Sequence, residues 1–107
     1  MSAKGYWIGR VDVADEDAYR AYLTANGAAF ARFGARFIVR GGEFEAAEGT
    51  PRARNVVIEF PSLEAARACY HSAEYQAAKA LRDPVSTGEL LIIGGYDGPQ
   101  PGGGTPR

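Results

Sequence analysis

Periodic segments follow one another along this chain as strand, helix, two strands, helix and strand, and they fill nearly everything from Gly5 to Gly95. Alternation over Gly5–Val13 places Trp7, Gly9, Val11 and Val13 on one side and Tyr6, Ile8, Arg10 and Asp12 on the other. Asp15 stands where a helix N-cap belongs, and Glu16 and Asp17 complement the positive end of the helix dipole. Tyr19, Tyr22, Leu23, Asn26, Phe30 and Phe33 then recur at helical spacing and form one stripe, with Gly34 placed to cap its end.

Ala35–Arg40 reads as a second strand, with Phe37 and Val39 facing opposite to Arg36, Ile38 and Arg40. The Gly41-Gly42 pair breaks it, and Phe44–Ala47 reads as a short extra strand before the Gly49-Thr50-Pro51 turn. Asn55–Phe60 is the third main strand, with Val56, Ile58 and Phe60 alternating against Asn55, Val57 and Glu59. Ser62 caps the second helix, whose buried side holds Leu63, Ala66 and Tyr70, and Ser72 restarts it through Arg82. Asp83-Pro84 ends the helix, because the residue before a proline avoids helical backbone angles. Glu89–Gly94 carries Leu90, Leu91, Ile92 and Ile93, apolar on both sides, which predicts a strand buried on both faces.

The order β-α-β-β-α-β defines an α+β fold of the ferredoxin-like kind, an antiparallel four-stranded sheet with two helices on one face. Residues 1–97 form the domain, and 98–107, rich in Gly and Pro, form a flexible tail. In this topology the third strand lies between the first and second. Asn55 then falls near Arg10 and Arg40, and Glu59 near Tyr6 and Arg36.

Sorting strand residues by face sharpens the picture. Trp7, Val11, Val13, Phe37, Val39, Val56, Ile58 and Phe60 make a core for the helices to cover. The opposite face mixes Ile8, Ile38 and Val57 with Arg10, Asp12, Arg36, Arg40, Asn55 and Glu59, and one layer of helices cannot cover both sides. Contiguous exposed apolar area usually marks an interface, so a second copy of the chain is expected on that face. Arg10, Arg40 and Asn55 have two readings: they orient an anionic group, or they belong to an inter-subunit ion-pair network.

A chain of 107 residues is one domain, and its twelve basic and thirteen acidic residues leave no basic patch for nucleic acid or an anionic membrane. The start MSAKGYWIGR lacks the apolar core of a signal peptide, no segment has the length of a membrane span, and a lone cysteine, Cys69, suits a reducing compartment. These features together predict a cytoplasmic protein.

Asn26 is the odd member of its stripe, since a buried amide left unpaired costs about 1–3 kcal/mol. It either faces a small-molecule cavity walled by Trp7, Tyr19, Tyr22 and Tyr70, or is tied to a carbonyl or tyrosine hydroxyl. His71, the one histidine, is the candidate for proton transfer near neutral pH, and at a helix junction it also fits a plain capping or surface role. Cys69 has no partner at metal-ligand spacing, and residues two apart on a helix do not meet, so Cys69 and His71 do not form a nucleophile–base pair. Gly41-Gly42 lacks the phosphate-loop pattern and reads as a turn.

The run Cys69–Gln76 (CYHSAEYQ) with Lys79–Arg82, together with Lys4–Ile8, Arg40–Gly42 and Asn55–Phe60, resembles a bacterial family catalogued as a domain of unknown function within the dimeric α+β barrel superfamily. The resemblance covers about residues 4–98. It implies a homodimer whose sheets face each other as a barrel with helices outside. That superfamily includes cofactor-independent monooxygenases, haem-degrading enzymes, lactone isomerases and dehydratases, along with proteins of no known activity. The resemblance carries no catalytic residues over to this chain, and a fold alone does not license a reaction. The expectation is therefore a homodimer that binds, and in an enzyme reading transforms, a small partly apolar molecule without metal or nucleotide cofactor. The competing class is a non-catalytic structural or regulatory dimer module.

Overall fold

The structure, a computed structural model, describes residues 3–103. Strand β1 (Gly5–Val13) leads into helix α1 (Glu16–Arg32), then strands β2 (Arg36–Arg40) and β3 (Arg54–Phe60). Helices α2 (Leu63–His71) and α3 (Ala73–Arg82) follow, a single 3-10 turn spans Asp83–Val85, and strand β4 (Ser86–Gly94) closes the sheet. The sheet order is β2-β3-β1-β4, and every neighbouring pair is antiparallel. This is the α+β, ferredoxin-like arrangement expected from the segment order.

The helix ends follow from their capping residues. The Asp15 carboxylate accepts the Ala18 N–H and the Ser62 hydroxyl accepts the Ala65 N–H. Ser72 serves both sides of a helix break: its hydroxyl donates to the Cys69 carbonyl at 2.7 Å and accepts the Tyr75 N–H at 3.1 Å. Its extended backbone turns α2 into α3. At the end of α1, Gly34 takes φ +72°, its N–H donates to the Ala31 carbonyl and the next N–H, of Ala35, donates to Phe30. That is a Schellman cap, and its left-handed residue favours glycine.

The core lies between the helices and one sheet face. Trp7 is its centre, with ring centroids 4.8 Å from Tyr75, 5.3 Å from Phe30 and Phe60, and 5.9 Å from Tyr70. Its indole N–H donates to the Ala66 carbonyl at 2.8 Å, so the buried polar atom is satisfied. Edge-to-face aromatic pairs of this kind contribute about 0.5–1.5 kcal/mol each beyond simple burial.

Register bears out three of the four expected neighbour pairs. Glu59 lies opposite both Tyr6 and Arg36, and its carboxylate accepts from the Tyr6 hydroxyl at 3.0 Å and from Arg36 Nε at 3.3 Å. Arg10 pairs with Asn55 on β3 and Glu89 on β4.

Strand β2 departs from simple alternation. Phe37 pairs with Ile58, yet Val39 pairs with Val57 and Arg40 with Val56, so a bulge falls at Ile38. One extra residue inverts the facing of everything beyond it. Val39, expected in the core, is on the open face, and Arg40, expected on the open face, is on the helix side. The open face consequently carries one aliphatic row across all four strands: Leu91, Ile8, Val57 and Val39.

Two further expectations need correction. Phe44–Ala47 pairs with no strand, and segment 41–53 is irregular and mostly exposed. Its last residues are fastened by the Asp12 carboxylate, which accepts the Ala53 N–H at 2.9 Å and Arg52 at 2.7 Å, while Arg52 also grips Glu89. Strand β4 is a sheet edge rather than a strand buried on both sides; in the single chain Leu90 and Ile92 pack on the core, but Leu91 and Ile93 stay half exposed. Part of the expected flexible tail, residues 104–107, lies outside the described residues.

Candidate functional site

The face of α1 that carries Tyr19, Tyr22, Asn26 and Phe30 is pressed toward the sheet, and near the β2–β3 end the two layers do not meet. A cavity of about 590 Å³ opens there. Its walls are Tyr19, Tyr22, Leu23, Asn26 and Phe30 from α1, and its floor is Val11, Phe37, Val56 and Ile58 from the strands. A second cavity of about 320 Å³ continues toward α3 over Trp7, Gly9, Tyr70 and Tyr75, sharing Tyr19, Tyr22, Val11, Val56 and Ile58 with the first. Gly9 is part of its floor: a Cβ there would stand 3.1 Å from Val56 Cγ2.

Asn26 is 4% exposed, and its side-chain amide makes no hydrogen bond among the described residues. None of the buried side-chain polar atoms is sealed without a partner, so the amide opens into the cavity rather than into a dry core. Tyr19 is in the same position. Its ring is buried, its hydroxyl has no partner among the described residues, and burial with the neighbouring Tyr22 pushes its pKa upward. At neutral pH it is a protonated donor facing the same space.

The wall toward α3 is a closed network. Tyr22 and Tyr75 hydroxyls share a 2.8 Å hydrogen bond, and Arg82 donates to Tyr75 from Nε and Nη2 at 3.3 Å each. Burial first, and the Tyr22 hydroxyl second, raise the Tyr75 pKa far beyond its usual range. These groups hold one another in place and offer less to a ligand than Asn26 and Tyr19 do.

Four charged residues line the larger cavity: Asp12, Glu16, Arg40 and Arg54. Arg54 donates to Glu16 at 3.0 Å and lies over the Tyr19 ring at 4.9 Å, and Asp12 is held by Arg52 and Ala53. Arg40 lies over the Phe37 ring at 4.0 Å and has no acidic partner among the described residues.

The structure brings Tyr19, Tyr22, Asn26 and Arg40 to the larger cavity and Trp7 and Tyr70 to the smaller one. It parts Arg40 from Arg10 and Asn55, which lie across from each other on the open face, where Asn55 donates to the Arg52 carbonyl. His71 is exposed at the α2–α3 junction with its ring 5.2 Å from that of Tyr70, and it lines neither cavity. Cys69 is fully buried and burial pushes its thiol up to about 12, which marks it as packing. Among the described residues no three His, Cys, Asp or Glu side chains gather at metal-binding distance.

Arg54, Tyr75 and Arg82 are the wall residues that sequence reasoning passed over. Arg54 shares the parity of Val56, Ile58 and Phe60, so extending the third strand by one residue would have found it. Arg82 follows Tyr75 by two helical turns, on the same face of α3.

These elements define an α+β protein with a partly apolar, partly polar cavity between its helix layer and its sheet. The chain belongs to the DUF1330 family, a domain of unknown function, whose family model matches residues 4–96. No curated protein matches the sequence. Among solved structures it is similar to the RPA0582 protein of unknown function from Rhodopseudomonas palustris, at 19% identity over 87% of this chain and 82% of that one, with a TM-score of 0.69. It is also similar to SnoaB, a cofactor-independent oxygenase from Streptomyces nogalater, at 16% identity over 86% and 92% of the two chains, with a TM-score of 0.60. A third similar structure is a dimeric ferredoxin-like protein of unknown function from Thermobifida fusca, at 18% identity over 88% and 92%, with a TM-score of 0.60. At these identities the likeness is one of fold. No helix of the described residues is long and apolar enough to cross a membrane.

Proposed function

We propose that this protein binds a small, partly apolar molecule in the cavity between α1 and the sheet, and that it does so as a homodimer paired through its open sheet face. The observation that carries the reading is the pair of buried polar groups, the Asn26 amide and the Tyr19 hydroxyl, that open without internal partners into a cavity of mixed apolar and polar lining. Groups so placed stay open to the cavity and can direct a ligand that takes the place of water there. Leu91, Ile8, Val57 and Val39, aligned across the open face, support the second copy, as does the dimeric neighbour from Thermobifida fusca. That SnoaB is an oxygenase without cofactor supports transformation as an extension of binding on this fold. In this reading His71 has no role in the cavity.

Native mass spectrometry of the full chain, before and after denaturation, tests both parts. The expected result is a dimer carrying a reproducible non-covalent mass that is absent from Asn26→Leu. A clean dimer, with Asn26→Leu melting at or above the parent temperature, would favour the non-catalytic module instead. A monomer would remove the sheet-face pairing.

A further inference from the structure

We infer that the ligand of the larger cavity is a carboxylate carried on a flat apolar body, with Arg40 as the group that reads its charge. This rests on the cavity reading above and gives it a chemical class. Of the four charged side chains lining the cavity, three are already matched. Glu16 accepts from Arg54 at 3.0 Å, and Asp12 accepts from Arg52 at 2.7 Å and from the Ala53 N–H at 2.9 Å. Arg40 is the remaining charge, and it is on this side only because the bulge at Ile38 turns it inward. Its guanidinium lies 4.0 Å from the centroid of Phe37, a floor residue, and a guanidinium stacked on a ring keeps its planar N–H donors for a planar acceptor.

The surroundings set the remainder of the molecule. Arg40 is exposed and marks the mouth, whereas Asn26, Tyr19, Tyr22 and Phe30 are buried and mark the depth. Aromatic walls on one side and Val56 and Ile58 on the other suit a flat apolar body. A bound carboxylate would be neutralised at the mouth while its body displaces water from the depth. Any oxygen or nitrogen it carries there would meet the Asn26 amide or Tyr19 hydroxyl.

The test compares naphthalene carboxylate with naphthalene carboxamide, a neutral molecule of nearly the same shape, by titration calorimetry on the full chain, Arg40→Gln and Asn26→Leu. The expected result is binding of the carboxylate about tenfold or more tighter than the amide, a preference that Arg40→Gln removes and Asn26→Leu retains at weakened affinity. Equal binding of both probes, weakened by Asn26→Leu, would overturn the carboxylate assignment and leave the cavity reading standing. A carboxylate preference that survives Arg40→Gln would overturn the role of Arg40. Arg40→Gln that instead changes the oligomeric state would show that the arginine pairs with a second copy, and would overturn the assignment as well. Neither probe binding, in a protein that also carries no added mass, would overturn the cavity reading and this inference with it.

Discussion

The two faces of this sheet are made from alternate residues of the same four strands, and they differ in how completely they are satisfied. On the helix side Trp7, Ile58 and Phe60 are buried, and the one indole N–H has its carbonyl. On the open side Leu91 and Ile93 remain about half exposed beside carboxylate–arginine pairs that are already complete within the chain. The contrast teaches that the first face builds the core of the single chain, while the second leaves apolar area uncovered, as the proposed pairing requires. The cross-strand pairs of the aliphatic row contribute about 0.2–1 kcal/mol each to the sheet, and Leu91 and Val39 still stay roughly half uncovered in the single chain. Of its charged flanks Arg36 and Arg52 are matched within the chain, whereas Arg10 has no acidic partner among the described residues.

The comparison breaks most visibly at Trp7. Trp7→Ala removes the hub of the aromatic cluster and is expected to cost about 3–5 kcal/mol in urea unfolding, a large share of the roughly 5–15 kcal/mol that holds a domain of this size together. Retention of a parent-like midpoint would mean that the core does not depend on this face.

Cys69 sharpens the same side through pH. Its thiol, ordinarily near 9, is pushed up to about 12 by burial, so the unfolded state releases that proton first. Stability from this group is complete below pH 9 and falls as pH rises toward 12, with a slope approaching about 1.4 kcal/mol per pH unit. Cys69→Ala should move the alkaline onset upward, leaving a later decline from Tyr75 and Tyr19, whose values are also raised. Superimposable pH profiles for parent and variant would contradict the sealed core at Cys69.

The open face calls for a different response. Val57→Asp, in the middle of the aliphatic row, should leave the circular dichroism spectrum intact while raising the dimer dissociation constant about tenfold or more, equivalent to about 1.4 kcal/mol. Sedimentation velocity measures it, and an unchanged dimer would place the interface elsewhere. The smallest effect belongs to neither face. Gly27 is exposed within α1, and nothing lies within 4 Å of where its Cβ would be. Gly27→Ala should stabilise the protein by about 0.5–1 kcal/mol in the same urea titration.

Most of the architecture was legible because it rests on local chemistry. Asp15, Ser62 and Ser72 announce helix starts by residue type, Gly34 announces a left-handed cap, and the antiparallel topology alone brings Glu59 to Tyr6 and Arg36. Asn26 was conspicuous as an amide within an aromatic stripe. The bulge was not legible. Arg36–Arg40 alternates equally well in either facing, and the choice is made by hydrogen-bond register with β3, which is a tertiary fact. For the same reason Arg40 was grouped with Arg10 and Asn55 rather than with Tyr19. Phe44–Ala47 holds one strand-favouring residue, Phe44, beside Glu45 and two alanines, and among the described residues it pairs with no strand.

The bulge at Ile38 has one more implication. Because parity decides which compartment a strand residue enters, the pairing of β2 with β3, and not the residue order alone, sets the charge at the mouth of the cavity. Pairing Ile38 regularly with Val57 would turn Val39 inward and Arg40 outward, exchanging a cation for a hydrocarbon at the mouth. Deleting Ile38, by contrast, would leave Val39 opposite Val57 and Arg40 opposite Val56, each in its present compartment.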